Sequence, residues 1–256
     1  MQQENSYNSA EIEQATLGDR VWQFVRFAVI TGVIFAISFF AMNFHAYKSI
    51  LASMLDPAAQ QEKNDVLVNA AGGSQINESL LLPVLNGEKE SSPSYAWLDF
   101  PVVPTDNRLV IPKLGKSVPM VGMDSSNLIG KNWPELEKQI QGALQNGVLH
   151  YPTTANPGEP GNVFITGHSS YYPLDPGQYK DVFALLNQLE PGDEYYVYFE
   201  QKKYTYKIFE KVIVKPTDTT VLLPPKEEER KISTLMTCFP VGTTTSRLIV
   251  KAEQVG

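Results

Sequence analysis

The sequence predicts a mainly β domain of about eight strands with two short helices, preceded by one long apolar helix at the N-terminus. Three observations lead to this fold class. Eighteen residues, Phe27–Phe44, carry no charge. Beyond residue 107, short β-rich runs alternate with turn-forming residues. Two shorter segments have the apolar spacing that is typical of a helix. Many short strands are consistent with a small closed β-barrel.

The N-terminal apolar segment is expected to be a transmembrane helix. At about 1.5 Å per residue, Val21–Phe44 is long enough for a bilayer core of about 30 Å. Trp22 and Arg26 suit the membrane interface, because a long cationic side chain can snorkel. Residues 1–20 then form a tail. The alternative is a cleaved signal peptide, but the apolar run exceeds a typical signal core and no clean small-x-small site follows it.

Composition sets the broad class of protein. The chain has 256 residues, a net charge of −7 and an isoelectric point near 5.1, which argues against nucleic acid as a partner. No cofactor and no metal site are expected. The mixed run Lys226–Lys231 is expected to be a solvated loop. The alternative is a divalent cation held by its three acids, which is disfavoured because consecutive side chains do not converge easily on one ion.

Residues 45–106 are expected to form a stalk that is partly flexible. Tyr47–Met54 continues as a helix, and the stretch after it is rich in Gln, Asn, Ser, Gly and Glu. Such a composition buries too little surface to offset its ordering entropy. The apolar patch Leu80–Leu85 is a candidate for docking on the domain.

The elements of the domain are expected in the following order. Strands are predicted near Leu109, Val118, Val148, Val163, Tyr195–Phe199, Tyr204–Val214, Ile232 and Leu248. Asn132 and Glu135 have the spacing of a capping box, so a helix is expected to begin there and to end at Asn146. Asp181 is expected to cap a second helix that runs through Leu189, before a Pro-Gly pair. The two tyrosine-rich strands are separated by a short polar segment, which predicts a hairpin.

Cys238 is the only cysteine, so it cannot form an intramolecular disulfide. It closes the strand-like run Ile232–Cys238, and Phe239–Gly242 then breaks the strand. The thiol is therefore expected at a strand end facing a loop, where reactive groups are commonly displayed. The alternative is a small buried side chain. Arg247 opens the next strand, and if the two strands are neighbours its guanidinium lies near the thiol, where a fixed cation favours the thiolate and steadies an oxyanion.

The histidines differ in their surroundings. His168 follows a short buried-type strand and a glycine that permits a sharp turn, so its imidazole is expected at the mouth of a site. His150 lies inside a strand-like run and is interpreted as a structural, hydrogen-bonded group. His45 ends the apolar segment and is interpreted as an interfacial residue.

These segments, in this order and at this spacing, resemble the sortases, a family of membrane-anchored cysteine transpeptidases of prokaryotic cell surfaces. The motifs that carry the resemblance are Gly161–His168, Thr234–Cys238 and Arg247–Val250, with weaker similarity at Arg108–Leu114 and Phe183–Asp193. The resemblance runs from Asn107 to Glu253. It implies a closed catalytic barrel at residues 107–256, outside the membrane.

The resemblance also implies a chemistry. Cys238 attacks a peptide bond in the sorting signal of a surface protein and forms a thioester acyl-enzyme. His168 protonates the leaving amine and then deprotonates the incoming one, and Arg247 binds the oxyanion or the substrate backbone. Thr237 either contacts the substrate or packs on its neighbours. The acceptor amine belongs to a cell-envelope component such as a peptidoglycan precursor, or to a pilin subunit.

The location follows from the same resemblance: a single-pass protein of the plasma membrane, with residues 1–20 cytoplasmic and 45–106 an extracytoplasmic stalk. The charges that flank the apolar segment leave its orientation open. Asp99–Pro101 is interpreted either as a lid, as in some pilus-type members, or as a packing segment. Two other functions stay open: a membrane-tethered endopeptidase that uses water as acceptor, and a non-catalytic surface-binding barrel. The class within the family, the sorting motif and the acceptor also stay open.

Overall fold

The computed structural model describes residues 17–56, 104–123, 125–170 and 176–256. The chain divides into two compact units, residues 1–41 and residues 42–256. The apolar patch Leu80–Leu85 and the segment Asp99–Pro101, on which the sequence makes predictions, lie outside the described residues.

Helix α1 (Leu17–Met42) is long and apolar. Its stretch Arg20–Met42, of 23 residues, has the length and composition to cross a membrane, and no part of its most apolar window is buried inside the protein. At the rise of an α-helix it extends about 35 Å, against about 30 Å for a hydrocarbon core. Phe24 and Phe35 are 73% and 71% exposed. Helix α1 is thus a candidate membrane anchor, close to the predicted Val21–Phe44.

Eight strands of the second unit close into a barrel. They are β1 (Arg108–Ile111), β2 (Lys116–Val121), β3 (Val148–His150), β4 (Gly161–Thr166), β5 (Glu194–Phe199), β6 (Lys202–Val214), β7 (Lys231–Phe239) and β8 (Ser246–Gln254). Their order around the barrel is β1-β2-β3-β4-β7-β8-β6-β5, with β5 paired to β1. The pairs β2–β3 and β4–β7 are parallel. The predicted mainly β fold, a closed barrel with few helices behind an apolar N-terminal helix, is confirmed.

The barrel is held together by its apolar interior. Alternate side chains of each strand point inward, and Leu109, Val163, Leu235 and Val250 are at most 1% exposed. Burying each such side chain contributes about 1.5–3 kcal/mol. A densely packed interior makes the strands a stiff frame for the side chains on the outer face.

The predicted hairpin between the two tyrosine-rich strands is confirmed. Strands β5 and β6 are joined by Glu200 and Gln201, whose φ angles are 49° and 60°. Two consecutive left-handed residues are the signature of a type I′ turn, whose twist matches that of the flanking strands.

Two helices connect β2 to β3. Helix α3 (Ser126–Ile129) is a single turn, and helix α4 (Trp133–Asn146) has the predicted bounds. Helix α4 buries Leu136, Ala143 and Leu144 on one face, as the apolar spacing predicts. The side chain of Asn132 makes no capping hydrogen bond; a proline in the first turn favours the helix start instead.

The second helix predicted for Asp181–Leu189 is wrong in type. The segment consists of turns and one 3₁₀ helix, Leu186–Gln188, with bonds such as Ala184 N–H to the Asp181 carbonyl, 3.0 Å. The physical reason is burial on more than one side. Five consecutive side chains, 182–186, are at most 4% exposed, whereas one face of a surface helix buries only a stripe. The tighter turns let the segment bury nearly all its side chains.

Helix α2 (Phe44–Leu55) belongs to the same unit as the barrel. It covers the first residues of the segment expected to be a stalk. Ala46 is 1% exposed and Ile50 packs against the barrel core. Part of α2 is therefore in contact with the barrel.

Candidate active site

The barrel topology brings three predicted site residues onto neighbouring strands. Strands β4 and β7 pair in parallel, with Thr166 opposite Met236. The Gly167 N–H extends this ladder to the Met236 carbonyl, 3.2 Å. His168 follows the end of β4 by two residues and Cys238 is the last residue but one of β7, so both lie at the same end of this parallel pair. Neighbouring strands lie about 4.8 Å apart, which puts the imidazole-bearing and thiol-bearing positions near each other.

Arg247 lies on the other side of Cys238. Strands β7 and β8 are antiparallel, and Cys238 is the direct register partner of Arg247. Residues that face each other in an antiparallel pair project to the same face of the sheet. The thiol position therefore has the histidine on one neighbouring strand and the arginine on the other.

Strand alternation puts Cys238 on the outer face of the barrel. Leu235 and Thr237 are buried, whereas Met236 and Cys238 are half-buried. Because successive side chains point to opposite faces, Cys238 shares the face of Met236. The cysteine is free and partly accessible, as a nucleophile requires.

The backbone around His168 is fixed on both sides. The Gly167 carbonyl accepts a hydrogen bond from Thr237 Oγ1, 2.8 Å, and the His168 carbonyl accepts one from the Phe183 N–H, 2.9 Å. A Cβ on Gly167 would lie 2.8 Å from the Phe183 ring and 2.9 Å from Val182. A glycine is therefore needed before the histidine. Burial lowers the pKa of His168 from its usual 6.5, which favours the neutral imidazole.

The guanidinium of Arg247 is bound to the loop between β7 and β8. Its Nη1 donates to the Thr244 carbonyl at 3.0 Å and to the Ser246 carbonyl at 3.1 Å. The arginine thereby holds the loop that follows the cysteine strand. A guanidinium carries five donors, so these two bonds engage one end of the fork.

Thr237 has a definite role in this geometry. Its side chain is 2% exposed and its hydroxyl donates to the Gly167 carbonyl. The hydroxyl thus ties the cysteine strand to the residue before His168. This contact agrees with the alternative in which Thr237 packs on its neighbours. Because the hydroxyl is already engaged, a contact of Thr237 with the substrate would have to use its backbone.

The other two histidines lie elsewhere. His150 pairs with Ile165 on β4, on the side away from β7. A nitrogen of its ring lies 3.0 Å from the Ala155 carbonyl and 3.3 Å from Thr154 Oγ1. Burial is the main cause that lowers the pKa of His150, and the bond to Ala155 works against it. His45 is an exposed residue of α2.

An apolar cluster lies beside the site on the outer face of the barrel. The buried side chains of Phe164, Val221 and Ile249 pack together, with Met236 and Leu222 against them. Met236 is two residues from Cys238 on the same face, so the cluster lies next to the cysteine position. Sequence reasoning did not identify these residues individually. The apolar run Val221–Leu223, inside the otherwise polar connection between β6 and β7, was the pattern that could have indicated them.

The buried side-chain amide of Asn162 holds the segment that carries Val221 and Leu222. Asn162 Nδ2 donates to the Val221 carbonyl at 2.9 Å and to the Leu223 carbonyl at 3.3 Å. Its Oδ1 accepts from Thr234 Oγ1 at 2.8 Å. These three bonds join the connection between β6 and β7 to the barrel wall. The sequence pattern did not single out Asn162.

Within the described ranges, no three His, Cys, Asp or Glu side chains come together as metal ligands would. The acidic run Glu227–Glu229 is exposed. The alternative that its carboxylates hold a divalent cation finds no support in the described geometry.

Known proteins similar to this chain are found among the sortases. Sortase D of Bacillus subtilis (strain 168) is 28% identical over 151 residues, which are 57% of this chain and 62% of the relative. The chain thus spans less than two thirds of that relative's length. Among solved structures, a Clostridium perfringens Sortase D5 transpeptidase matches at 27% identity and a TM-score of 0.45, covering 59% of this chain and 79% of the other. The pilus-related Sortase C of Group B Streptococcus matches at 21% identity and a TM-score of 0.47, covering 77% and 91%.

The family assignment comes from the domain match. The family model of the sortase domain matches residues 109–255, which is more than half of the chain and nearly the whole barrel. Cys238, His168 and Arg247 all lie within this range. The chain therefore belongs to the sortase family.

Proposed function

We propose that this protein is a cysteine transpeptidase that cleaves the sorting signal of a surface protein and transfers the product to an amine acceptor. The observation that carries the proposal is the pairing of Cys238 with Arg247 on β8, at the same end of the barrel as His168, which follows the neighbouring strand β4. A partly accessible thiol between an imidazole and a guanidinium suits nucleophilic attack on a peptide carbonyl. Membership of the sortase family supports the same reaction.

In the first half-reaction, neutral His168 takes the proton of the Cys238 thiol as sulfur attacks the carbonyl carbon. The carbon–sulfur bond forms, and the carbonyl becomes a tetrahedral oxyanion. His168 then gives its proton to the leaving amine, the peptide C–N bond breaks, and a thioester remains. The lowered pKa of His168 supports this step, because an imidazole must be neutral to accept the proton.

In the second half-reaction, an amine attacks the thioester. His168 takes the proton of the amine and returns it to the thiolate as the new amide forms. Arg247 binds the oxyanion of both tetrahedral states or holds the substrate backbone beside it. Its contacts to the loop use Nη1, so Nε and Nη2 are the donors for this role.

We propose that the substrate binds in a groove beside the apolar cluster, with Val221 and Leu222 as its wall. Met236 and Leu222 are half-buried and the cluster beneath them is apolar, so this surface favours a peptide with apolar side chains near the scissile bond, because polar ones would lose their hydration there. The acceptor is a peptidoglycan precursor or a pilin subunit. Thr237 serves the site through Gly167, and through its backbone it remains a candidate substrate contact.

We further propose the location that such a reaction requires. Helix α1 anchors the protein in the plasma membrane as a single-pass segment, with residues 1–20 in the cytoplasm. Residues 45–106 form an extracytoplasmic link to the catalytic barrel of residues 107–256, and their first part, α2, is docked on that barrel. The apolar composition of Arg20–Met42 supports the anchor.

The test uses the purified full chain in detergent with a labelled peptide that carries a sorting signal. We expect mass spectrometry to detect a thioester on Cys238 and, with an added amine, a transfer product. Cys238→Ala and Cys238→Ser should yield neither while melting like the wild type. Hydrolysis that ignores added amine would instead identify a membrane-tethered endopeptidase. Turnover by Cys238→Ala, or a wild type that never forms the thioester with any sorting peptide, would overturn the proposal.

A further inference from the structure

Helix α2 meets the barrel through one face of small side chains. Ala46 is 1% exposed, Ser49 and Ser53 are half-buried, and Ile50 packs against the core. These residues recur at the spacing of one helical face. Small side chains let the helix backbone approach the barrel closely.

This face is bonded to the segment that supports His168. Ser49 Oγ donates to Asp181 Oδ2 at 2.8 Å, and Gln188 Nε2 donates to Ser53 Oγ at 3.0 Å. Between the two bonded residues lies Phe183, whose N–H donates to the His168 carbonyl. Helix α2 is therefore bonded to both ends of the segment 181–188, and within this segment Phe183 bonds the backbone of His168.

The same helix reaches the loop that follows the cysteine strand. Tyr47 OH lies 3.4 Å from the Val241 carbonyl. The side chain of Asn43, just before the helix, lies so close to Gly242 that a Cβ there would be 2.9 Å from it; the φ of 83° at Gly242 also favours glycine. The Gly242 N–H in turn donates to Ser170 Oγ at 3.0 Å. Helix α2 thus contacts both the loop after Cys238 and, through it, the loop after His168.

The position of these contacts indicates whether α2 supports the active site or blocks access of the substrate to it. They lie on the connections that follow β4 and β7, at residues 181, 188, 241 and 242. The proposed groove is walled by Val221 and Leu222 from a different connection. A helix in this place supports the catalytic loops and leaves the groove to the substrate.

We propose that α2 is a positioning element of the active site: docked on the barrel, it sets the distance between the imidazole of His168 and the thiol of Cys238. The inference rests on the proposed transpeptidase reaction and deepens it. A misplacement of about 1 Å in such a pair can cost about 10²-fold in rate. Catalysis therefore depends on Ala46 and Ser49, residues that touch neither the substrate nor the reacting atoms.

The test compares two arginine substitutions in the full chain in detergent. Ala46→Arg inserts a long charged side chain at the buried face, and Ala52→Arg inserts the same side chain at an exposed position of the same helix. We expect Ala46→Arg to lower kcat by about 10²-fold while KM changes by less than about threefold, because the groove is untouched. Ala52→Arg should leave kcat and KM at their wild-type values. Ala46→Ser, which puts a small side chain at the same buried position, should have the wild-type kcat. Equal kcat for Ala46→Arg and wild type overturns the inference.

Hydrogen exchange gives a readout that does not depend on turnover. In Ala46→Arg the amides of Phe183 and Gly242 should exchange faster, while the amides of β4 and β7 in the barrel wall should not change. Ser49→Ala is a milder variant, expected to speed exchange at Phe183 by about fivefold, the equivalent of one net hydrogen bond. If Ala46→Arg unfolds the barrel, Ser49→Ala decides: wild-type exchange at Phe183 together with wild-type kcat overturns the inference. A wild type without thioester or turnover refutes the proposed function instead, which separates the two failures.

Discussion

The candidate catalytic residues lie at or just beyond the ends of strands, and all three are half-buried. Cys238 is the last residue but one of β7, Arg247 is the second of β8, and His168 follows β4 by two residues. The strand fixes the backbone on one side of each residue. Because none of the three side chains is fully buried, we expect their replacement to cost little stability, so that a loss of activity in a single variant reports on the chemistry.

The two half-buried histidines of the barrel should respond differently to replacement by alanine. His168→Ala should lower kcat/KM by about 10²–10⁴-fold, the range for loss of a general acid–base, with little change in melting temperature. His150→Ala should keep its activity but lose roughly 1–3 kcal/mol of stability, because it leaves the Ala155 carbonyl without its partner. Peptide cleavage and chemical denaturation of both variants check this. The reverse pattern would move the catalytic role to His150.

The same histidines give stability a pH dependence with a defined sign. Burial lowers the pKa of both below 6.5, so the unfolded chain binds their protons more readily than the folded one. Their contribution is therefore complete above pH 6.5 and is lost as the pH falls from there toward the lowered values. Denaturation at pH 7.5 and pH 5.5 should show this loss, reduced in His150→Ala. A variant as acid-sensitive as the wild type would show that other groups dominate.

Arg247 is expected to act through its shape as well as its charge. Lysine supplies a single point charge, whereas the guanidinium can bind the loop through Nη1 and an oxyanion through its other nitrogens. Arg247→Lys should therefore lose about 10²-fold or more in kcat/KM, the scale of one oxyanion donor. Kinetics of wild type, Arg247→Lys and Arg247→Ala measure it. Near-equal rates in all three would leave a Cys–His pair with backbone donors alone.

At the scale of elements, the connection between β6 and β7 is tied to the barrel by Asn162. Its amide bonds two carbonyls of that connection and is itself held by Thr234. A buried amide with three partners loses all of them on truncation. The wall formed by Val221 and Leu222 then loses its anchor, although the residues that perform the chemistry lie elsewhere.

Asn162→Ala should therefore raise KM for a sorting peptide by about tenfold, equivalent to about 1.4 kcal/mol, while kcat changes less. The thioester should still form at saturating peptide. Ser233→Ala is a matched control, since its buried hydroxyl also bonds a backbone carbonyl, that of Val163, but does not reach the groove wall. A fall in kcat with unchanged KM would show that the anchor supports the chemistry rather than the groove.

Sequence patterns predict elements better than pairings. All eight strands and α4 were predictable because each is a local pattern of apolar and turn residues. The segment 181–189 was not, because its all-round burial is a tertiary property that resembles a helix in sequence. The short loop between the two strands predicted Arg247 as a neighbour of Cys238, whereas only the family resemblance placed His168 beside Cys238. No local sequence pattern indicates that β4 pairs in parallel with β7, which lies seventy positions further along the chain.

At the scale of the whole molecule, the docking of α2 makes the functional unit larger than the barrel. The sequence analysis predicted a helix near Tyr47–Met54 and assigned it to a stalk, because the small residues of this helix do not indicate which surface they pack against. Its contacts at Asp181, Gln188 and Gly242 lie at least 132 positions further along the chain and meet the helix only in the folded protein. A helix that follows the candidate membrane anchor in sequence thereby supports the loops that carry the candidate site.

Truncation separates the helix from the stalk. A protein that begins at Pro104 keeps the whole barrel but lacks α2, and we expect its kcat to fall by about tenfold or more because the catalytic loops lose their brace. A second protein begins at Met42 and replaces residues 57–103 with a Gly/Ser segment of equal length, so that it keeps α2 and, like the first protein, lacks residues 1–41 and the native segment 57–103. This protein should turn over like the full chain, since a flexible linker of the same length leaves α2 free to dock. Melting curves show whether both barrels are folded. Full activity without α2 would limit the catalytic unit to the barrel, and loss of activity in both proteins would assign the effect to residues 1–41 or to the native sequence of residues 57–103.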